Sequence, residues 1–212
     1  PELDEATFRA RCGEAVLAQY EAKRARIGAP RMRQVERYIL LRTLDQYRAR
    51  YAQYKSDPLL QAAHATCPWL MVWDDHEVQN DYAGLHDVSP AQRAAAYQAY
   101  WEHLPFPKSA RPSGPDMRIV GRLDWGRLAR IHLLDDRQYR DPQACPRWGR
   151  SGSNTVRLKD CAELLDPKRT LLGATQEQWL ADGWSVERPW NLVAQQTLIA
   201  RFSWRDTGTE AT

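Results

Sequence analysis

The chain has 212 residues, a length that favours one domain and supplies enough apolar side chains for a hydrophobic core. Apolar residues make up 43% of the sequence and charged residues 27%, values that exclude disorder as a global description. The 30 basic and 27 acidic residues leave a formal net charge of +3, which gives no bulk electrostatic basis for nucleic acid binding. No apolar run approaches the roughly 18 residues that a transmembrane segment needs, and no basic-then-apolar signal segment opens the sequence.

Helical patterns dominate the first third of the chain. Residues 3–26 place apolar side chains at helical spacing among charges and predict a helix that ends at a Gly-Ala-Pro segment. A second helix is predicted over residues 32–54. Asp57 and Pro58 predict the N-cap and first turn of a short helix over residues 59–65, because aspartate caps helices and proline fits their first turn.

Three apolar runs follow, and each predicts a strand that is buried on both faces of a sheet. They cover residues 67–73, 129–134 and 190–194, and helices are predicted between them over residues 90–103 and 176–181. Strands separated by helices are typical of an α/β layered fold.

Each predicted strand runs into polar residues. The first ends in Asp74-Asp75-His76-Glu77, the second in Asp135-Asp136-Arg137 and the third in Gln195-Gln196. Binding sites in open α/β sheets assemble beyond the carboxyl ends of strands, so these segments form the candidate site. The alternative interpretation is chance, since turns are polar in any protein.

The residue types in the 74–77 segment favour metal-assisted phosphate chemistry. Asp74 and Asp75 would point to opposite faces of an extended backbone, so they would not serve one ion unless the chain turns there. The favoured arrangement gives one carboxylate to a metal and the other to a structural hydrogen bond, with His76 over the same cleft. Carboxylate oxygens suit Ca²⁺, Mg²⁺ or Mn²⁺, and imidazole extends the choice to iron and zinc. Asn80 and Asp81 add oxygen donors, with a helix cap or Asx turn as the alternative interpretation.

The four cysteines fall into two kinds of surroundings. Cys12 and Cys67 lie in helical or apolar patterns and are expected to be buried or half-buried thiols. Cys145 and Cys161 flank a polar stretch, and a disulfide across it would contribute about 3 kcal/mol in the chain-entropy model. Four reduced cysteines in a cytosolic protein are the alternative. No CxxC pair occurs, so a structural zinc site is not expected.

Residues 73–82, WDDHEVQNDY, resemble the signature of the PhoD-like alkaline phosphatases, a branch of the calcineurin-like metallophosphoesterases. Further segments resemble this family in the same order along the chain: TLDQYRARY at 43–51, SDP at 56–58, LQAAH at 60–64, AAAYQAYWEHLP at 94–105, LDDRQYR at 134–140, LGATQEQWL at 172–180 and WNLVAQQ at 190–196. The resemblance covers residues 40 to 200, and several motifs in order make it specific.

The resemblance implies roles for individual residues. Asp75 stands at a metal-ligand position, and Asp74 and Asn80 are further ligand candidates. His76 stands where the family contacts the phosphate and stabilises the transition state. Arg137 is placed to approach or support the substrate. The metals that the resemblance implies are Ca²⁺ and Fe³⁺, and the substrate it implies is a small phosphate ester.

The resemblance also implies a disulfide between Cys145 and Cys161, and a periplasmic or secreted location. The fold that the resemblance implies is a metallophosphoesterase-like α/β sheet flanked by helices. Residues 41–212 are predicted to form this core and residues 1–40 an additional helical segment that resembles nothing in the family.

Departures from the family pattern define the alternatives. Asp81 replaces the second residue of an Asn-Asn pair, and Asp136 stands where Thr is usual. No Gly-Asp-x-x-Tyr motif precedes residue 73 and no Gly-Asp-x-His motif follows, although the family takes bridging carboxylates and histidines from both. Since a two-metal mechanism needs both ligand sets, the chain is expected to be an incomplete core. The expected function is phosphate mono- or diester hydrolysis. A catalytically inactive fragment or binding module is the main alternative, and a Trp/Arg-rich nucleic acid binder is a weaker one.

Overall fold

A computed structural model describes residues 41–85, 88–145, 155–198, 200, 203–204 and 209–211. The helix predicted over residues 3–26, the first part of the helix predicted over 32–54, and Cys12 lie outside the described residues. The described α-helices are α1 (Leu44–Lys55), α2 (Pro58–Thr66), α3 (Pro90–His103) and α4 (Ala174–Ala181), with 3₁₀ turns at Lys108–Ala110, Leu158–Asp160 and Ala162–Leu165.

Side chains cap the starts of three helices, one of which was predicted from the sequence. The Asp57 carboxylate accepts hydrogen bonds from the amides of Leu59 and Leu60, at 2.8 and 3.0 Å, so the predicted cap of α2 is confirmed. Ser89 caps α3, whose bounds equal the prediction. Thr43 and Gln46 form a reciprocal capping box at the start of α1.

The strands form two small sheets within the described residues. The strands are β1 (Gly121–Trp125), β2 (Ala129–Leu133), β3 (Thr155–Arg157), β4 (Trp190–Ala194), β5 (Ser203–Trp204) and β6 (Thr209–Ala211). The first sheet has the order β1-β2-β4, with β1 and β2 antiparallel and β2 and β4 parallel. The second has the order β3-β6-β5. The fold is therefore mixed α/β. The strands predicted at 129–134 and 190–194 are present, but the prediction of burial on both faces is wrong for β4, where Trp190, Leu192 and Val193 are exposed. Strand β1 was not predicted.

The prediction of a buried strand over residues 67–73 is wrong. This segment forms no ladder with another described strand, and residues 67–70 are exposed. Pro68 has no amide hydrogen to donate to a ladder. The Trp69 side chain instead returns to α2, where its ring stacks on His64 and its Nε1 donates to the Ala63 carbonyl at 3.3 Å. Trp73, by contrast, is fully buried.

The main hydrophobic core lies against α3, which packs on α1. It contains the aromatic side chains of Tyr47, Trp73, Tyr82, Tyr97 and Tyr100. Trp73 stacks on Tyr97 with a centroid distance of 4.5 Å, and the Tyr47 hydroxyl donates to the Val78 carbonyl at 2.5 Å. Because Trp73 and Val78 flank the polar 74–77 segment, this core fixes both ends of that segment.

The cysteine predictions have a mixed outcome. Cys145 and Cys161 form a disulfide with a Cα–Cα distance of 6.0 Å, which confirms the predicted bond. The prediction for Cys67 is wrong, because its thiol is exposed. Cys67 ends α2 at the C-cap, where the chain leaves the helix along the surface.

Candidate active site

The chain turns sharply at Asp75. The amides of Val78 and Gln79 donate to the Asp75 carbonyl at 3.0 and 2.8 Å, and the Asp75 carboxylate accepts the Asp81 amide at 2.5 Å. Asp81 has a φ of +59°, a left-handed conformation that aspartate tolerates better than most side chains. The turn lets Asp74 and Asp75 approach one partner, although they are adjacent in sequence.

That shared partner is Arg137, which follows β2. Its Nε donates to Asp74 Oδ1 at 2.8 Å, its Nη2 donates to the same oxygen, and Nη2 lies 3.6 Å from Asp75 Oδ1. Its Nη1 donates to the Tyr82 carbonyl at 3.2 Å, and its own carbonyl accepts the Gly84 amide at 2.7 Å. Arg137 therefore joins the end of β2 to both sides of the turn. With its side chain only 10% exposed, it is a buried charge held by two acidic residues.

His76 is one of the exposed members of the turn, with Asp74 and Asn80. Its side chain is 49% exposed, and Nε2 lies 2.9 Å from Asn80 Oδ1 and 3.5 Å from Asp75 Oδ2. Asn80 in turn donates to the Asp81 carboxylate at 2.5 Å. Glu77 is more buried than His76 and accepts the Asp74 amide, and burial raises the pKa of its carboxyl group. The turn thus carries Asp74, Asp75, His76 and Asn80, and Arg137 contacts it from the end of β2.

Asp135 supports this turn through buried hydrogen bonds. Its carboxylate accepts hydrogen bonds from Trp73 Nε1 at 3.0 Å and from the amides of Arg137 and Gln138 at 3.0 and 2.9 Å. Burial raises the pKa of Asp135, while these hydrogen bonds lower it. Gln176 on α4 pairs with both the amide and the carbonyl of Asp135, at 2.9 Å each. Asp135 therefore connects Trp73 to the residues after β2 and to α4, and it has no exposed surface.

The residues after β4 contact the residue before the turn and the segment after β2; Gln195-Gln196 had been placed in the candidate site, and Thr197 had not. Gln196 donates from its side chain to the Trp73 carbonyl, and the Thr197 hydroxyl donates to Asp136 Oδ2 at 2.8 Å. Because β2 and β4 are parallel neighbours, their carboxyl ends lie side by side. The signal available in the sequence was the Gln195-Gln196 pair at the end of the third apolar run.

The described residues do not complete a metal site. No group of three or more His, Cys, Asp or Glu side chains within the described ranges is arranged to hold a metal ion. Asp74 and Asp75 already face the Arg137 guanidinium. Asp136 Oδ1 is buried without a hydrogen-bond partner among the described residues. Burial raises the pKa of Asp136, while hydrogen bonds from Thr197 and the positive charges of Arg140 and Arg137 oppose this rise.

A cavity of about 880 Å³ lies between residues that follow β2 and the start of α4. Its lining includes Gly84, Arg118, Arg140, Gly173 and Trp179. Neither Asp75 nor His76 lines it, although Tyr139 and Arg140 of the 134–140 segment do.

Comparison with known proteins decides the ancestry of this arrangement. The family model described as PhoD-like phosphatase matches residues 11–212. The chain belongs to the PhoD-like phosphatase family. The match takes in most of the N-terminal segment that the motifs had left unplaced, while the predicted division at residue 40 stays a prediction.

One relative and one solved structure set the scale of the match. The chain is 44% identical over 177 residues to alkaline phosphatase D of Bacillus subtilis (strain 168), covering 80% of this chain and 28% of that protein. It also matches a solved structure described as "Structure of PhoD", with 42% identity, a TM-score of 0.71, and coverage of 81% of this chain and 33% of that one. The chain thus spans about a third of the length of the relatives it matches. In the part of the chain that the structure describes, no helix is long and apolar enough to cross a membrane.

Proposed function

We propose that this chain carries part of the active site of a metal-dependent phosphatase that hydrolyses small phosphate mono- or diesters. Membership of the PhoD-like family supports the reaction class. The observation that carries the proposal is the exposed His76 imidazole beside the Asp75 carboxylate, on a turn fixed by buried Arg137 and the Trp73 core. A rigid support of this kind is what a phosphate-binding histidine needs.

His76 has the clearest chemical role. A phosphate oxygen at its exposed edge would receive a hydrogen bond, and a protonated imidazole can transfer a proton to the leaving alkoxide or phenolate oxygen. The hydrogen bond between His76 and Asn80 orients the ring. Asn80 would therefore act on the reaction by holding the imidazole.

The acidic residues differ in their surroundings. Asp75 remains the candidate metal ligand, with Ca²⁺ and Fe³⁺ the metals that the family implies. Asp74 is tied to Arg137 through two guanidinium nitrogens, which supports a structural role for its carboxylate. Further ligands would have to come from outside the described residues. The N–H groups of Arg137 are directed at Asp74, Asp75 and Tyr82, so we propose that it supports substrate binding by holding the turn.

Hydrolysis of an aryl phosphate and of a bis-aryl phosphodiester, with Ca²⁺ and iron added, tests the proposed function. Wild type is expected to show metal-dependent turnover that His76→Ala lowers by about 10²-fold or more. His64→Ala is the matched control, since His64 stacks on Trp69 away from the turn and should keep the wild-type rate. Turnover no greater in wild type than in His76→Ala would refute an active site on this chain.

A catalytically inactive binding module is the second candidate. The observation that favours it is the absence, within the described ranges, of a three-residue metal group. Elemental analysis of the purified protein distinguishes the two. A metal stoichiometry near zero, with no thermal shift on adding inorganic phosphate, would favour the inactive module.

We also propose that the protein works in an oxidising compartment, periplasmic or extracellular. The Cys145–Cys161 disulfide supports this, because such bonds persist outside the reducing cytosol. Detection of the oxidised form in the exported fraction of the source cells would test it, and a wholly reduced cytosolic form would contradict it.

A further inference from the structure

The cavity of about 880 Å³ is lined by segments that hydrogen bonds hold in place. The Gly84 amide donates to the Arg137 carbonyl at 2.7 Å, and the Asp141 amide donates to the Thr170 carbonyl at 3.0 Å. The volume lies within the range of small-molecule pockets, about 300–1,000 Å³. The lining comes from residues 83–85, 138–142 and 172–176, together with Arg118, Val120 and Trp179.

Two arginines of this lining lack an acceptor. Arg140 Nε is buried without a hydrogen-bond partner, and neither Arg140 nor Arg118 forms a side-chain hydrogen bond or ion pair within the described residues. Arg137, by contrast, is bonded to Asp74 and to the Tyr82 carbonyl. A guanidinium group has five N–H donors, and burying them without acceptors costs free energy. The cavity is therefore a place where an anion would supply acceptors that the described chain does not.

The charged residues of the lining match a single negative charge. Arg118 and Arg140 carry two positive charges, and Asp141 carries one negative charge. The Asp141 carboxylate already accepts the Thr170 amide at 2.8 Å. A carboxylate ligand carries one negative charge at neutral pH, whereas a phosphate monoester carries about 1.5 to 2. The planar pair of carboxylate oxygens also fits the fork of a guanidinium group.

The rest of the lining includes aliphatic side chains and two aromatic rings. Leu85, Val120 and Leu172 supply the aliphatic groups, and Tyr139 and Trp179 supply the rings. Leu85 and Tyr139 are 38% and 39% exposed, so apolar surface remains that a ligand could remove from water. Aromatic side chains pack well against another ring, in stacked or edge-to-face contacts. These residues favour a ligand with an aromatic group.

We propose that this cavity binds a small aromatic carboxylate, with its carboxylate among the guanidinium groups of Arg118 and Arg140 and its ring among the apolar side chains. The site is additional to the proposed hydrolysis, because neither Asp75 nor His76 lines the cavity. A neutral aromatic compound would leave both guanidinium groups without an acceptor. A small anion without a ring would leave the apolar lining uncovered.

Isothermal titration calorimetry with naphthoate, at fixed ionic strength, tests the proposal without any hydrolytic step. Naphthamide, which lacks the charge, and acetate, which lacks the ring, are the comparison ligands. Arg118→Gln and Arg140→Gln each remove one guanidinium group from the cavity. Arg111→Gln is the matched control, because Arg111 is exposed beside the Trp101 ring and does not line the cavity. Thermal unfolding of each variant checks its fold, and the exposed position of Arg118 keeps the test available if Arg140→Gln does not fold.

Naphthoate is expected to bind the wild-type chain at one site, at least about 10-fold more tightly than naphthamide or acetate. Each cavity arginine variant should raise the Kd by about 10-fold or more, because a hydrogen bond to a charged group is lost. Arg111→Gln and His76→Ala should keep the wild-type Kd, so failure of the proposed hydrolysis would leave this result unchanged.

Three results would overturn the proposal. They are the absence of saturable naphthoate binding, equal binding of naphthamide, and a wild-type Kd in both Arg118→Gln and Arg140→Gln. A Kd raised by His76→Ala would also overturn it, since the anion would then lie at the turn.

Discussion

Replacing Arg137 by glutamine should destabilise the protein by far more than the loss of an ordinary surface ion pair. Arg137 is only 10% exposed and bonds to Asp74 through two nitrogens, while a third nitrogen donates to the Tyr82 carbonyl. Glutamine keeps a polar side chain but removes the charge and the fork geometry. The turn would then hold Asp74 and Asp75 without a buried counter-charge.

The magnitude follows from the exposure of each partner. Asp74 is 48% exposed, so loss of its ion pair with Arg137 should cost only about 1 kcal/mol, because solvent screens the two charges. The Tyr82 carbonyl would lose a buried donor, at about 1 kcal/mol or more. Asp75 is 13% exposed and would lose a positive charge 3.6 Å away, which contributes about another 1 kcal/mol. The free energy of unfolding should therefore fall by about 3 kcal/mol, and Tm by about 6–12 °C for a domain of this size.

Thermal and urea unfolding measure this loss, with Arg157→Gln as the matched control. Arg157 pairs with Asp160 at 2.5 Å, but both side chains are about half exposed, so the control should lose about 1 kcal/mol at most. A double-mutant cycle with Asp74→Asn should give a coupling of about 1 kcal/mol between Arg137 and Asp74. Equal destabilisation by the two arginine variants, or no coupling, would refute the view that Arg137 holds the turn.

Three further perturbations have defined outcomes. Gly84→Ala should cost about 2–3 kcal/mol of unfolding free energy, because φ is +78° and the new Cβ would lie 2.9 Å from a backbone carbonyl oxygen. The control Gly114→Ala, at φ +60° with open space around the new Cβ, should cost about 1 kcal/mol. Similar Tm values for the two variants would contradict this expectation. Reducing the Cys145–Cys161 disulfide, which spans 16 residues, should cost about 3 kcal/mol by urea unfolding, and no change on adding dithiothreitol would count against it. Burial lowers the pKa of His132, so the unfolded state binds more protons and stability should fall as pH drops through about 6.5. His132→Gln should flatten that fall between about pH 7 and pH 5, and an unchanged slope would show that other groups cause it.

Local chemistry allowed much of the helical structure to be predicted. Asp57-Pro58 and Ser89-Pro90 determine helix starts through side-chain capping and the fixed φ of proline, which involve only neighbouring residues. The strands over β2 and β4 were also visible, because short apolar runs are local signals. Residues 67–73 form a similar apolar run but no strand. A run of apolar residues does not show whether another strand lies beside it to form a ladder.

The amino-acid sequence by itself indicated the family and the cysteine pair that forms the disulfide, because motifs and cysteine positions are properties of the chain order, and the site residues that it named stay a prediction. Only the tertiary structure decided that Arg137 faces Asp74 and Asp75, since 62 residues and more separate them and a reversal at Asp75 brings both carboxylates to one guanidinium. It also decided that β2 and β4 are parallel neighbours, which brings the segments after them side by side, because strand pairing depends on how distant segments pack.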